Sequence, residues 1–265
     1  MKKLLCCFGG LLVATASVHA SPLFADNFTY PNGPLLGQGG WTITGASVVN
    51  PIQVASGAVA LTTTGQDAYS ALPGGLTTIN DGTSLYVGLS LNVSAAQTAG
   101  DYFLHYSTTV GNTSIFPDRL FVKSDGAGGY LLGWSGSSSG VTYGTTPLTL
   151  GTPYRVVVAY NAVAGTANDT AAIYVNPTDL VNVVGNTAYN TWAWTGGTEV
   201  SPNVIAEINF RQGTATSAPT LTVDDLDVSQ TFSDAAVWTP IPEPSSLSLL
   251  GGFGLLAWQI IRRRK

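Results

Sequence analysis

A two-residue alternation of apolar side chains recurs along the middle of the chain and limits the fold that the chain can adopt. The clearest example runs from Leu85 to Val93, where every second residue is Leu or Val. The same alternation appears over Tyr154–Tyr160 and Val204–Phe210. Because successive side chains of a β-strand point to opposite faces, each segment has one apolar face to bury. These segments are predicted to be strands.

Further short segments rich in β-branched and aromatic residues extend this pattern over residues 21–232. They are predicted strands at Tyr102–Tyr106, Arg119–Lys123, Tyr130–Trp134, Ala171–Val175 and Leu221–Val228. Turn residues such as Asn80-Asp81-Gly82 separate them, and no long helical periodicity occurs in this range. Many short strands in about 200 residues favour an all-β, antiparallel sandwich of two sheets.

The last 25 residues form a separate unit of three parts. Ile241-Pro242-Glu243-Pro244-Ser245 is followed by an uncharged apolar run and then by Arg262-Arg263-Arg264-Lys265. The 17 residues from Ser245 to Ile261 would make about 26 Å of helix, which suffices for a short membrane span. The terminal cations are expected to stay cytoplasmic, since moving them through lipid is costly. The alternative is a buried terminal helix of a globular domain.

This tail closely resembles the PEP-CTERM sorting signal of Gram-negative bacteria. The matching residues are Pro242, Glu243 and Pro244, the apolar span, and Arg262, Arg263 and Arg264. The resemblance implies that 241–265 is a sorting signal processed by an exosortase. It also implies a precursor held in the inner membrane with its domain outside, and a mature form at the cell surface or in the exopolysaccharide matrix.

The first 20 residues have the three parts of a secretory signal peptide. Lys2 and Lys3 precede an apolar stretch, and Val18-His19-Ala20 is a small-residue cleavage site. Partners of this segment are therefore the Sec translocon and signal peptidase. Lipidation at Cys6 or Cys7 is a weaker alternative, because only two apolar residues precede them. Without this segment the chain has no cysteine, so the exported domain must be stable without disulfides.

The predicted exported part is strongly acidic. Residues 21–240 contain four cations against 14 acids, a net charge of −10. This charge opposes binding to nucleic acid or to an anionic membrane surface. Solubility alone is a sufficient explanation for it.

Several short motifs of the domain resemble concanavalin A-like (laminin G-like) jelly rolls. They are Asp26-Asn27-Phe28-Thr29-Tyr30-Pro31-Asn32-Gly33 with Gly40-Trp41, the pair Thr152–Tyr160 and Asp169–Pro177, and Val223-Asp224-Asp225-Leu226-Asp227-Val228. The resemblance implies that fold over residues 21–232. Residues 233–240 then form a linker to the sorting signal.

Catalytic motifs are missing from this domain. The fold that this resemblance implies occurs in glycoside hydrolases as well as in lectins. The hydrolase motif Glu-x-Asp-x-x-Glu does not occur in this sequence. Glu199 and Glu207 are the only glutamates of the domain. Glu207 is predicted on an outward, solvated strand face, with a position lining a concave groove as the alternative. His105 is the only histidine after the signal peptide and is expected to be a hydrogen-bonded sheet residue. The chain is therefore predicted not to be an enzyme.

Two kinds of binding site stay open. Asp26 near the first strand and Asp225 or Asp227 near the last would meet if the terminal strands pair, giving a candidate structural Ca²⁺ site. No other cofactor is expected. The second is a glycan site, in which exposed aromatic side chains would stack on sugar rings. The candidates are Trp134, Tyr143, Trp192 and Trp194. The alternative is that these side chains are buried in the core. The main hypothesis is a non-catalytic surface or matrix protein, structural or adhesive in role; the alternative is a glycan-binding lectin.

Overall fold

The computed structural model describes residues 22–73, 77–114, 116–136, 140–194 and 204–237. Nearly all regular structure in these ranges is β-strand. In chain order the strands are β1 (Phe24–Asp26), β2 (Gly33–Pro34), β3 (Thr42–Thr44), β4 (Gln53–Ala55), β5 (Ala58–Leu61), β6 (Asp67–Ala71), β7 (Thr77–Thr78), β8 (Ser84–Ala95), β9 (Asp101–Ser107), β10 (Asp118–Ser124), β11 (Gly129–Gly136), β12 (Thr142–Tyr143), β13 (Leu148–Thr149), β14 (Pro153–Asn161), β15 (Thr170–Val175), β16 (Asn190–Ala193), β17 (Val204–Ile205), β18 (Glu207–Phe210) and β19 (Thr220–Ser229). A 3₁₀ turn spans Val183–Gly185, and helix α1 spans Phe232–Ala236.

Two large antiparallel sheets form a jelly-roll sandwich, which confirms the predicted fold class. The nine-stranded sheet has the order β16-β15-β14-β8-β19-β5-β4-β2, with β1 paired to β19. The eight-stranded sheet has the order β12-β11-β10-β9-β18-β6-β3, with β13 paired to β11. The strands β17 and β7 form a separate two-stranded sheet. Every strand segment predicted above coincides with an observed strand or, for Val204–Phe210, with two.

The core lies between the inner faces of the two sheets. The alternating residues of β8, Leu85 to Val93, are all buried there, as the period of two predicts. From the other sheet, Phe210 stacks on the indole of Trp41 with ring centroids 4.9 Å apart. Fully burying one such side chain stabilises the fold by about 1.5–3 kcal/mol. The sandwich is therefore stabilised by this apolar layer.

The first and last strands of the domain pair with each other. β1 lies antiparallel to β19, with Asp26 opposite Leu226. The buried carboxylate of Asp26 accepts hydrogen bonds from Trp41 Nε1 (2.7 Å), Tyr30 Oη (2.8 Å) and the Phe28 amide (2.8 Å). Three donors compensate the cost of burying this group. The turn after β1 is thereby fixed to the core.

Helix α1 corrects the predicted linker at 233–240. Phe232–Ala236 is a short helix that packs on the outer face of the nine-stranded sheet, the face turned away from the other sheet. Phe232 is buried against Tyr86 and Tyr174, at centroid distances of 5.8 and 5.7 Å. The linker prediction was wrong up to Ala236 because apolar burial outweighs the polar character of the segment; residues 238–240 lie outside the described residues.

Hydrogen bonds from one arginine hold this helix on the sheet. Arg155 on β14 donates from Nη2 to the Ala235 carbonyl oxygen (2.6 Å) and from Nη1 to the Asp225 carbonyl oxygen (2.8 Å). The helix end also lies so close to β8 that a Cβ at Gly88 would be 1.9 Å from the Ala235 oxygen. Glycine at this position therefore permits the docking.

Substitution of this glycine gives a direct test of the docking. Gly88→Ala is expected to displace the end of α1 and to lower the free energy of unfolding by about 1–3 kcal/mol, the usual cost of overpacking. Hydrogen exchange at the amides of Ala235 to Val237 and denaturant unfolding measure the two effects. Gly140→Ala is the control, since a Cβ there meets no atom within 4 Å. Unchanged exchange in Gly88→Ala would show that the helix is not held in this way.

Candidate functional site

The outer face of the eight-stranded sheet carries a line of polar side chains. Residues directly opposite one another in antiparallel strands point to the same face. The pairings place six such residues in one row across the sheet: Thr42, Tyr69, Asn209, His105, Arg119 and Ser135. The core-facing neighbours along the strands, such as Leu104 and Ile208, are buried. This face is therefore the polar side of the sandwich.

An open cavity of about 350 Å³ lies on this face. Its lining includes Thr44, Asp67, Tyr102, His105, Phe116 and Arg211. Strand alternation accounts for the position of Asp67 and Arg211, because each adjoins a core residue, Ala68 and Phe210 respectively. The cavity combines two aromatic rings, a cation, a carboxyl group and hydroxyl groups, and we take it as the candidate site.

Arg211 is held in the cavity by two neighbours. Its Nη1 donates to Asp101 Oδ1 at 2.7 Å, and its guanidinium carbon lies 4.2 Å from the centroid of the Tyr102 ring. A cation over a ring face is stabilised by about 0.5–1 kcal/mol when exposed and by more when desolvated. The guanidinium is therefore fixed in one orientation toward the cavity.

Asp67 has an unusual acidity. Burial raises its pKa to about 6, although the hydrogen bond from the Gln212 amide (2.7 Å) and the nearby Arg211 both favour the charged form. The carboxyl group therefore changes charge in mildly acidic solution.

His105 is a buried, hydrogen-bonded sheet residue, as predicted. Its Nδ1 lies 3.2 Å from the Tyr106 carbonyl oxygen, and the Phe116 ring packs on the imidazole at 4.2 Å. A carbonyl partner makes Nδ1 the donor. Burial lowers the pKa of His105 to about 3, so the ring is neutral at physiological pH. Within the ranges that the structure describes, its hydrogen-bond partner is this backbone carbonyl rather than a serine side chain.

Glu207 corrects the prediction of a solvated position. It does lie on the outer strand face, but it is fully buried, because the loop between β9 and β10 closes over it. Oε2 accepts from the Gly111 amide (2.6 Å), and Oε1 accepts from Asn209 Nδ2 (3.0 Å). Burial raises the pKa of Glu207. The strand register offsets Asp67 from Glu207 by four residues, roughly 13 Å along the strands between their Cα atoms. Glu199 lies outside the described residues.

The predicted glycan-stacking tryptophans belong to the core. Trp134, Trp192 and Trp194 are 1%, 3% and 8% exposed, and the last two rings pack edge to face at 5.3 Å. Their spacing does put Trp192 and Trp194 on one face, but this face is the inner one. None offers a ring face to solvent. Tyr143 is the exception among the candidates, since it is only half-buried on the polar face.

The three aspartates proposed for Ca²⁺ do not converge. The terminal strands pair as expected, yet Asp26 points into the core beside Leu226, whereas Asp227, one residue on, points to the opposite face. Asp225 accepts from Ser90 Oγ at 3.0 Å. The described residues contain no group of three His, Cys, Asp or Glu side chains arranged to hold a metal.

Comparison with known proteins identifies the C-terminal segment. Residues 240–265 match the family model of the PEP-CTERM protein-sorting motif, which confirms the predicted signal. This motif indicates an exported precursor that is anchored in the membrane until an exosortase cleaves it. Pro242, Glu243, Pro244, Arg262, Arg263 and Arg264 lie outside the described residues, as does the signal peptide. No helix within the described ranges is long and apolar enough to cross a membrane.

Solved structures similar to the domain include several carbohydrate-related proteins. An endo-1,3-beta-glucanase from Streptomyces sioyaensis is 14% identical over 81% of this chain and 98% of its own, with a TM-score of 0.48. A glycosyl hydrolase family 16 protein from Mycobacterium smegmatis is 14% identical over 78% and 100%, with a TM-score of 0.45. The CBM2 module of the evolved Dit of Lactobacillus casei BL23 phage J-1 is 9% identical over 79% and 95%, with a TM-score of 0.46. No curated relative matches the chain. Likenesses this distant leave the activity of the chain open.

The acidity of Asp67 gives a pH-dependent prediction. Because its folded pKa of about 6 lies above the ordinary 3.8, its contribution to stability is full at low pH and is lost as pH rises through 6. When the pH is raised from 4.5 to 7.5, the free energy of unfolding of Asp67→Asn should therefore rise relative to that of wild type. The rise should be on the order of 1 kcal/mol, which allows for the partial exposure of the group. Denaturant unfolding at both values measures the difference.

A second aspartate provides a control of opposite sign. Backbone hydrogen bonds from Ala127 and Gly129 lower the pKa of Asp125 in an exposed hairpin loop. Asp125→Asn should therefore lose stability relative to wild type as pH rises toward the ordinary Asp pKa of 3.8, and should change little between pH 4.5 and 7.5. The same response in both variants would contradict the burial of Asp67.

Proposed function

We propose that this chain is an exported, non-catalytic protein of the cell surface or its surrounding matrix. The observation that carries the proposal is the sorting motif at residues 240–265. Exosortase processing would release the domain from the membrane and deliver it to the surface, where its role is structural or adhesive. The absence of cysteine from residues 21–265 agrees with a sandwich that depends on its apolar core rather than on disulfides.

Three features of the described residues support a non-catalytic role. Glu207 is buried and enclosed by hydrogen bonds from the Gly111 amide and Asn209 Nδ2. His105 is buried and neutral, and its Nδ1 is committed to a carbonyl group. Asp101 is bound by Arg211 and by Ser217 Oγ (2.9 Å). These three groups are thus occupied in holding the structure.

Processing at the motif is tested by mass spectrometry of the chain extracted from cells that contain an exosortase. The mature protein is expected to lack Leu247–Lys265, with cleavage near Pro242–Ser245. Glu243→Gln should accumulate as membrane-bound precursor, whereas Asp81→Asn, an exposed acid of the domain, should mature normally. Surface protein that retains Leu247–Lys265 would identify a permanent membrane anchor instead.

The non-catalytic role is tested by incubating the purified protein with β-glucans and measuring released reducing ends. We expect no release above the level of a heat-denatured control. Reproducible hydrolysis that Glu207→Gln abolishes and Asp81→Asn leaves intact would overturn the proposal and make Glu207 catalytic.

A further inference from the structure

The cations of the exported domain are gathered on one surface. Of the four in residues 21–240, Arg119, Lys123 and Arg211 lie on the outer face of the eight-stranded sheet. Arg119 and Lys123 point outward from β10, since Leu120 and Val122 between them are buried in the core. The fourth, Arg155, is on the opposite side of the sandwich under helix α1. The domain has a net charge of −10, and yet three of its four cations share this one face.

Aromatic rings alternate with these cations. Arg211 lies 4.2 Å and Arg119 5.5 Å from the centroid of Tyr102, Arg119 is also 5.6 Å from Phe121, and the Lys123 ammonium is 4.3 Å from Tyr143. The rings contact one another as well, with Tyr102–Phe121 at 5.5 Å and Phe121–Tyr143 at 6.3 Å. We call these six residues, Arg211, Tyr102, Arg119, Phe121, Tyr143 and Lys123, the cation–aromatic row.

The row is built into the sheet rather than spread over mobile loops. Tyr102 is on β9, Phe121 on β10 and Tyr143 on β12, and Tyr143 pairs with Gly133 of β11. A Cβ at Gly133 would be 2.6 Å from the Tyr143 ring, so the glycine lets this ring lie across the sheet and reach Lys123. The spacing of Arg119 and Lys123 is thus fixed by strand geometry.

The positive charge of the row is only partly compensated. Arg211 is paired with Asp101, and Asp67 faces the same cavity. Lys123 makes no ion pair within the part of the chain that the structure describes. A ring face orients an ammonium group without neutralising it. The ammonium group of Lys123 can therefore form an ion pair with an anionic ligand.

We propose that the cation–aromatic row binds an acidic polysaccharide, one that carries carboxylate groups on its sugar rings. The cations would bind the carboxylates, and the half-buried rings of Tyr102 and Tyr143 would contact the apolar C–H surfaces of the sugars. The cavity at the Arg211 end adds the hydroxyl groups of Thr44 and Thr113. Its volume of about 350 Å³ is at the lower end of ligand sites, which suits about one or two sugar rings.

Other polyanions fit this surface less well. Nucleic acids and anionic membranes have dense charge, and their binding depends on many cations together. This domain supplies three on the face and has a strongly negative total charge. A polysaccharide with one carboxylate per sugar matches a few spaced cations separated by rings. The inference rests on the proposed function in one respect, because such polymers are encountered outside the cell.

The test uses the full-length chain, solubilised in detergent, and polygalacturonate as the acidic probe. Its fully methyl-esterified form is the matched neutral polymer. We expect binding to polygalacturonate that weakens with added salt, and much weaker binding to the ester. Isothermal calorimetry or affinity electrophoresis measures both. Equal affinity for the two polymers would overturn the role of charge, and absence of binding to polygalacturonate would overturn the proposal.

Variants of Lys123 separate charge from folding. Lys123→Gln should weaken binding about threefold to tenfold with only a small fall in the thermal midpoint, since the folded protein loses one cation–π contact and no ion pair among the described residues. Lys123→Arg keeps the charge and should bind as wild type. An unaffected Lys123→Gln protein, or equal binding to single-stranded DNA, would contradict the assignment. Processing at 240–265 is scored separately, so normal maturation with failed binding would leave the proposed function intact.

Discussion

The apolar layer between the two sheets is the constraint on which the rest of the structure depends. The exported domain has no disulfide to rely on, and its inner faces contribute aromatic and aliphatic side chains such as Trp41, Phe210 and the alternating residues of β8. Because this layer occupies one face of every long strand, the other faces are available for different roles. One outer face holds helix α1, and the other carries the cavity and the cation–aromatic row.

The strands could be predicted from the sequence because burial of one face imposes a period of two. What this period does not reveal is which face turns inward and what covers the outer one. Trp192 and Trp194 share a face as their spacing requires, but it is the inner face. Glu207 points outward as its strand requires, but a loop from distant sequence encloses it. Which segment covers an outer strand face depends on contacts between parts of the chain that are far apart in sequence.

Part of the cation–aromatic row beside the candidate site was nonetheless accessible from the sequence. Arg119, Phe121 and Lys123 are two apart on a predicted strand, so they must share a face opposite Leu120 and Val122. Arg211 and Tyr102 could not be placed beside them, because their contact depends on the pairing of β18 with β9. Helix α1 was missed for a different reason: five residues are too few to show a helical period, and the packing of Phe232 decides its conformation.

The docking of α1 also determines where the chain leaves the domain toward the sorting signal. The chain leaves the sandwich at Val237 on the outer face of the nine-stranded sheet, and five residue steps, at most about 18 Å, connect it to Pro242. Any enzyme or attachment that grips the Pro-Glu-Pro segment must therefore work close to this sheet while α1 stays docked. The cation–aromatic row lies on the opposite side of the sandwich from this exit of the chain. An attachment at the Pro-Glu-Pro segment would therefore leave the row uncovered.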